Sequence, residues 1–154
     1  MLMAILLLRG DQKMPEPIYS NCEEGTLMLT INRAWEISEQ RTDVTPESEY
    51  LQISTKILSR DTSFRAHKHN PLDRHTTTTQ EAWIILKGAI KAKFWDLDDT
   101  VLHETILRDG DCAVVYKAGH SFEVLQEGTV LYEVKNGPYF GPDKDRTRVN
   151  IRND

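Results

Sequence analysis

Cysteine is scarce. Cys22 and Cys112 are the two thiols in 154 residues, too few for the disulfide framework that holds many small secreted domains together, so a hydrophobic core must do that work. Cys112 sits in the apolar run CAVVY and reads as a buried, inert thiol. Two such cysteines fit a reducing compartment, and the expected location is the cytoplasm. Clustered positive charge is missing as well. The 19 Lys and Arg are scattered among 24 Asp and Glu, giving 19 − 24 = −5, and this excludes the concentrated basic stripe that nucleic-acid binding needs. Long apolar runs are also absent. MLMAILLL at residues 1–8 is far shorter than a membrane span, follows no basic residue and precedes no cleavage site, so neither a transmembrane helix nor a secretory leader is expected. It reads as an apolar arm or edge strand that packs on a second subunit. Met14, opening MPEPIYSN, is an alternative start that would make residues 1–13 an upstream extension.

Helical signals are few. The best segment is ISEQRTDVTPESEYL, in which Thr45-Pro46-Glu47-Ser48 caps one short turn. What the chain has instead is short β-prone segments separated by turns. LMLTIN (27–32) and YLQISTKIL (50–58) alternate; AWIILKG (82–88) is a continuous apolar run ending in glycine. AIKAKFW (89–95) places Ile90, Ala92 and Phe94 on one side and Lys91 and Lys93 on the other. VLHETIL (101–107), CAVVY (112–116), SFEVL (121–125) and TVLYEVK (129–135) follow, divided by the turn clusters DLDDT, RDGD, KAGH and EG. Such spacing predicts an all-β sandwich or barrel. There is no internal repeat, and the threonine run 76–79 is the single low-complexity stretch. The predicted organisation is an N-terminal arm or edge strand over 1–25, a barrel over 26–140 and a surface segment over 141–154, rich in glycine, proline and charge.

The chemistry concentrates in HKHNPLDRHTTTTQE, residues 67–81. On a strand His67 and His69 point to one side, which offers two imidazoles to a borderline metal ion. Glu81, opening the next strand, offers a carboxylate, and His120, opening a later one, a third imidazole. Three nitrogens and one oxygen leave two open positions on an octahedral ion.

These residues carry a resemblance to the cupin superfamily, whose two motifs run G-x5-H-x-H-x3-4-E-x6-G and G-x5-P-x-G-x2-H-x3-N. HKH supplies the H-x-H, EAWIILKG (Glu81 to Gly88) fits E-x6-G without a gap, and GDCAVVYKAGHSFEV (Gly110 to Val124) follows the start of the second motif as far as His120. The resemblance spans about residues 50–136. It implies a double-stranded β-helix (jelly-roll) barrel with little helix, and a mononuclear divalent metal held by His67, His69, Glu81 and His120, with iron, zinc, nickel and manganese all suited to that set. The chain departs from the pattern in several places. Asp61 replaces the first glycine, eleven residues separate His69 from Glu81, Tyr116 replaces the proline, His120 comes one residue early and the last asparagine is missing. A competing alignment reads His75 and Thr77 as H-x-T before Glu81; it restores the spacing but exchanges an imidazole for a poor hydroxyl ligand. In the preferred alignment His75 is a loop residue over the mouth of the site.

The ending LYEVKNGPYFGPDKDRTRV and the phrase GHSFEVL are similar to small single-domain cupins found near bacterial surface-polysaccharide genes, which implies a sugar or sugar-nucleotide ligand. The expected function is therefore a homodimeric, metal-binding cupin that binds or acts on a small polar molecule, the ion serving as a Lewis acid. The alternatives are a non-catalytic sugar-binding cupin and a metal-independent epimerase or isomerase with His as base. No catalytic residue is assigned. Further pocket candidates are His75, Gln80 (which competes with Glu81 for the inward position), Tyr116, Phe122 and Tyr132. Trp83, Trp95 and Phe94 are expected in the core or pocket wall, and His103 in solvent.

Overall fold

The computed structural model describes residues 15–151. Its strands are β1 (Glu16–Tyr19), β2 (Leu27–Asn32), β3 (Arg41–Asp43), β4 (Ser54–Lys56), β5 (Glu81–Lys87), β6 (Ala89–Trp95), β7 (Val101–Arg108), β8 (Cys112–Val115), β9 (Gly119–Val124) and β10 (Val130–Lys135). A single 3-10 turn at Ala34–Glu36 and a short helix α1 (Pro142–Asp145) are the helical elements among the described residues, and no described helix is long and apolar enough to cross a membrane. The protein is all-β. The strands form a five-stranded sheet in the order β1-β2-β8-β5-β10, a three-stranded sheet β7-β6-β9 and a two-stranded ribbon β3-β4, every pairing antiparallel.

Two neighbouring cores follow from the period-2 alternation of strand side chains. The odd-numbered Leu29, Ile31, Trp83, Ile85, Ala113 and Val115 of the large sheet meet Ile90, Ala92 and Phe94 of β6 and Leu107 of β7. The even-numbered Ala82, Cys112, Val114 and Tyr116 turn to the opposite face and pack with Val44, Leu51 and Ile53. β5 and β8 are thus covered on both sides, which explains why EAWIILKG and CAVVY read as apolar runs and not as alternating ones. Cys112 is buried there, and burial pushes its thiol up to about 12, a protonated and unreactive state.

Corners and ties set the relation of the two larger sheets. Gly88 joins β5 to β6 at φ +92°, and a Cβ at this position would lie 2.4 Å from Thr129 Oγ1, so only glycine fits. Asp111 is fully buried. It pairs with Arg33 at 3.0 Å and accepts the backbone N–H groups of Ala34 and Arg108, fixing the turn into β8. Asp96 accepts the Ser20 hydroxyl and the Asn21 N–H, both at 2.6 Å, tying the segment after β1 to the β6–β7 hairpin.

Three expectations change. The barrel is not closed, because the large sheet ends at β1 and β10 and the small one at β7 and β9. The one-residue corner at Gly88 is too sharp to carry a hydrogen-bond ladder from one sheet to the next. The strand expected over 50–58 shrinks to Ser54–Lys56, since the Leu51 N–H is taken by the Gln80 side chain at 2.8 Å. The single short turn at Thr45–Ser48 does form, with Glu49 N–H on the Pro46 carbonyl, but Thr45 does not cap it; its Oγ1 accepts the Ile53 N–H instead. The apolar arm 1–8 and the alternative start at Met14 lie outside the described residues.

Candidate functional site: a His–Glu pair in an aromatic cavity

A cavity of about 480 Å³ opens between β5, β9 and β10 and the segment that follows β10. Strand register builds it. Lys135 lies opposite Glu81 and Glu133 opposite Trp83 across the β10–β5 ladder, and cross-strand partners point to the same face. On the facing sheet, Phe94 lies opposite His120 and Ala92 opposite Phe122. The inward row of the large sheet therefore looks at the inward row of β9, with the fully buried Phe94 in the core behind Trp83.

Glu81 is 13% accessible at its side chain. Its Oε1 accepts the Trp83 indole N–H at 2.8 Å and lies 3.7 Å from His120 Nε2, while Oε2 is 3.7 Å from Lys135 Nζ. Burial alone raises the Glu81 carboxyl, but the interactions with His120, the Trp83 N–H and Lys135 outweigh it and hold the group below its ordinary 4.5. Burial alone lowers the His120 imidazole, yet Glu81, the Ala118 carbonyl and the charge of Glu133 carry it above 6.5. His120 Nδ1 is 3.0 Å from that carbonyl. A carbonyl only accepts, so Nδ1 carries the hydrogen and Nε2, turned toward Glu81, is the nitrogen that gains and loses a proton.

The walls are aromatic. Trp83 meets His120 edge-on at 5.4 Å and Phe122 edge-on at 5.0 Å, and stacks on Phe94 at 6.0 Å. Lys135, bonded to Glu133 at 2.8 Å, lies over the Tyr139 ring at 5.4 Å, and the bond to Glu133 raises its amine above the ordinary value. Arg146, at the end of α1, completes the rim. The arrangement offers an apolar wall for the C–H face of a ring, hydrogen-bonding groups for its hydroxyls, and a proton exchanger at Nε2.

Of the four residues expected to hold a metal, Glu81 and His120 meet here. His67 and His69 do not; both are exposed in the extended segment between β4 and β5, 5.3 Å apart at their ring centroids, with His67 Nδ1 beside the Arg65 carbonyl at 3.2 Å. No group of three or more His, Cys, Asp or Glu side chains gathers as a metal site among the described residues. The geometric premise behind the His-x-His reading, a strand that turns both rings inward, is not met, because residues 57–78 form no strand. The donor set as it stands therefore does not fit the four-ligand centre.

His75 is exposed in the same segment and does not line the cavity. Gln80 is buried on the other side of β5. It donates to Glu49 Oε2 at 2.5 Å and accepts from Leu51 N–H, so Glu81 holds the inward position. Tyr116 is 1% exposed in the second core, donates to Thr30 Oγ1 at 3.0 Å, and is pushed up to about 12 by burial. Tyr132 shares the even-numbered face with Ile84 and is 61% exposed. Neither tyrosine lines the cavity, since strand parity turns both away. Phe122 does line it. His103 is half-buried in β7 against Phe94 at 6.4 Å rather than free in solvent, and burial lowers its imidazole. Glu133, Lys135, Tyr139 and Arg146 escaped the sequence reading, although the alternation in TVLYEVK already separates Glu133 and Lys135 from Tyr132 and Val134.

Comparison with known proteins finds no matching family model, no matching curated protein and no matching solved structure.

Proposed function

We propose that this protein is a cupin-like β-sandwich that binds a small polar, sugar-like molecule in the cavity, with the His120–Glu81 pair at the ligand's hydroxyl groups. The observation that carries the reading is the convergence of a carboxylate, a proton-exchanging imidazole and the Trp83 and Phe122 rings on one cavity large enough for a monosaccharide. Two facing antiparallel sheets support the jelly-roll resemblance. In this reading, neutral His120 accepts a hydrogen bond from a ligand hydroxyl through Nε2, and Glu81 stabilises the ring when it is protonated. Calorimetric titration of a panel of monosaccharides and sugar nucleotides tests it. Binding to the native protein that weakens at least about tenfold in His120→Ala is expected for a buried hydrogen-bonding group; binding untouched by that change sinks the reading.

A second reading keeps a divalent ion, because Glu81 and His120 already supply two donors 3.7 Å apart. It requires the 57–80 segment to bring His67 and His69 to the cavity. Elemental analysis after incubation with iron, zinc, nickel or manganese tests it, and metal uptake equal in native protein and His67→Ala/His69→Ala removes those residues from the set. The same reading includes a cytoplasmic homodimer, supported by the exposed Val130, Tyr132 and Val134 on the outer strand β10. A monomeric mass by light scattering at micromolar concentration rules out the dimer, and recovery of the native protein outside the cytoplasm in cell fractionation rules out the location.

A further inference from the structure

We propose that the cavity contains an anion subsite at Arg146, so that the sugar-like ligand carries a carboxylate or phosphate group. The inference rests on the ligand-binding reading above and adds the ligand's charge. Besides the Tyr139 phenol, six acidic or basic side chains line the cavity, namely Glu81, Glu133, Asp145, His120, Lys135 and Arg146. Five are engaged within the protein. Glu81 is held by Trp83, His120 and Lys135, and Glu133 by Lys135. Asp145 accepts the Phe140 N–H at 2.7 Å, and His120 is held by the Ala118 carbonyl. The Arg146 guanidinium has no hydrogen bond or ion pair among the described residues.

Its surroundings favour an anion. Arg146 is close enough to Lys135 to oppose that amine's charge, and the charge of Lys135 is already committed to Glu133 and Glu81. An added anion relieves the repulsion, whereas a neutral ring does not. The backbone under Arg146 is fixed, since its N–H closes α1 on the Pro142 carbonyl at 3.1 Å and Asp145 anchors the preceding loop. A guanidinium presented this way meets a carboxylate or phosphate through two parallel N–H bonds, which an ammonium cannot reproduce.

The test titrates full-length protein at low salt with glucose, glucuronate and glucose 1-phosphate, following heat and backbone amide shifts. One or both charged sugars should bind about tenfold tighter than glucose, as a charge-assisted bond allows. Arg146→Ala should abolish that advantage, weakening the charged sugars about tenfold more than it weakens glucose, and Arg146→Lys should restore only part of it. Whichever charged sugar binds tighter identifies the group, carboxylate or phosphate. Glucose binding as tightly as both charged sugars, or an advantage that survives Arg146→Ala, overturns the subsite but leaves the pocket reading standing. Binding of none of the three overturns both. Arg146 is exposed, and an unchanged amide spectrum of the free variant confirms that it folds.

Discussion

His120 and the trio His67, His69 and His75 are the same residue type in opposite environments. His120 opens β9, is held at Nδ1 by a carbonyl of its own chain and faces a carboxylate across a cavity. The other three lie in a segment without strand pairing, where every residue from Ile57 to His75 is exposed. A histidine acquires chemistry when a fixed backbone aims it and a charged neighbour tunes it. Sequence proximity to other histidines provides neither. The difference comes from the strand ladder and not from composition.

The comparison breaks most visibly in stability. Phe94→Ala removes a fully buried ring that packs on both Trp83 and His103. It is expected to cost about 3–5 kcal/mol in urea unfolding. A loss under about 1 kcal/mol would mean that the two sheets do not pack as described. The next effect is electrostatic. In Glu81→Gln the His120 imidazole loses its carboxylate, and its pKa, followed by NMR of the ring protons, should fall from above 6.5 to that value or below. The sign for stability follows. His120, raised in the folded state, stabilises below 6.5 and loses that contribution as pH rises through its folded value; Glu81, lowered, stabilises above 4.5 and loses its contribution as pH falls through its folded value. The pair therefore contributes most between about pH 4.5 and 6.5, and Glu81→Gln should lower stability within that window and flatten the native profile on either side of it. The smallest effect belongs to the exposed trio. Replacing His67, His69 and His75 together by alanine should change stability by less than about 0.5 kcal/mol and leave sugar affinity unaltered in the same titration. A large loss of affinity would place that segment over the cavity and restore the equivalence of the two groups.

Much of the fold was readable because it depends on local pattern. The boundaries of β2 and β6 match LMLTIN and AIKAKFW, and the turn at RDGD falls where expected, while β9 starts at Gly119, two residues inside KAGH. Parity within a strand was also readable in part. Glu81 and His120 come from separate strands and still meet, as their places at the starts of two strands suggested. Three kinds of information were not readable. The path of residues 57–80 depends on tertiary contacts, so two imidazoles at i and i+2 implied convergence only if a strand lay beneath them. Tyr116 and Tyr132 needed knowledge of which face of the large sheet holds the cavity, and pairing with β2 and β5 decides that. Lys135 and Arg146 needed the register of β10 on β5 and the return of the C-terminal segment, both long-range facts.

β5 lies between two interiors, and this separates two kinds of change. Glu81, Trp83 and their β10 partners Lys135 and Glu133 line the cavity, while the even positions of β5 and the buried Gln80 secure the layer behind. Substitutions on opposite faces share few neighbours, so their energetic effects should combine nearly additively. Exchanging Glu81, Glu133 or Lys135 therefore changes the chemistry of the cavity wall while leaving the apolar layer behind the sheet as it is.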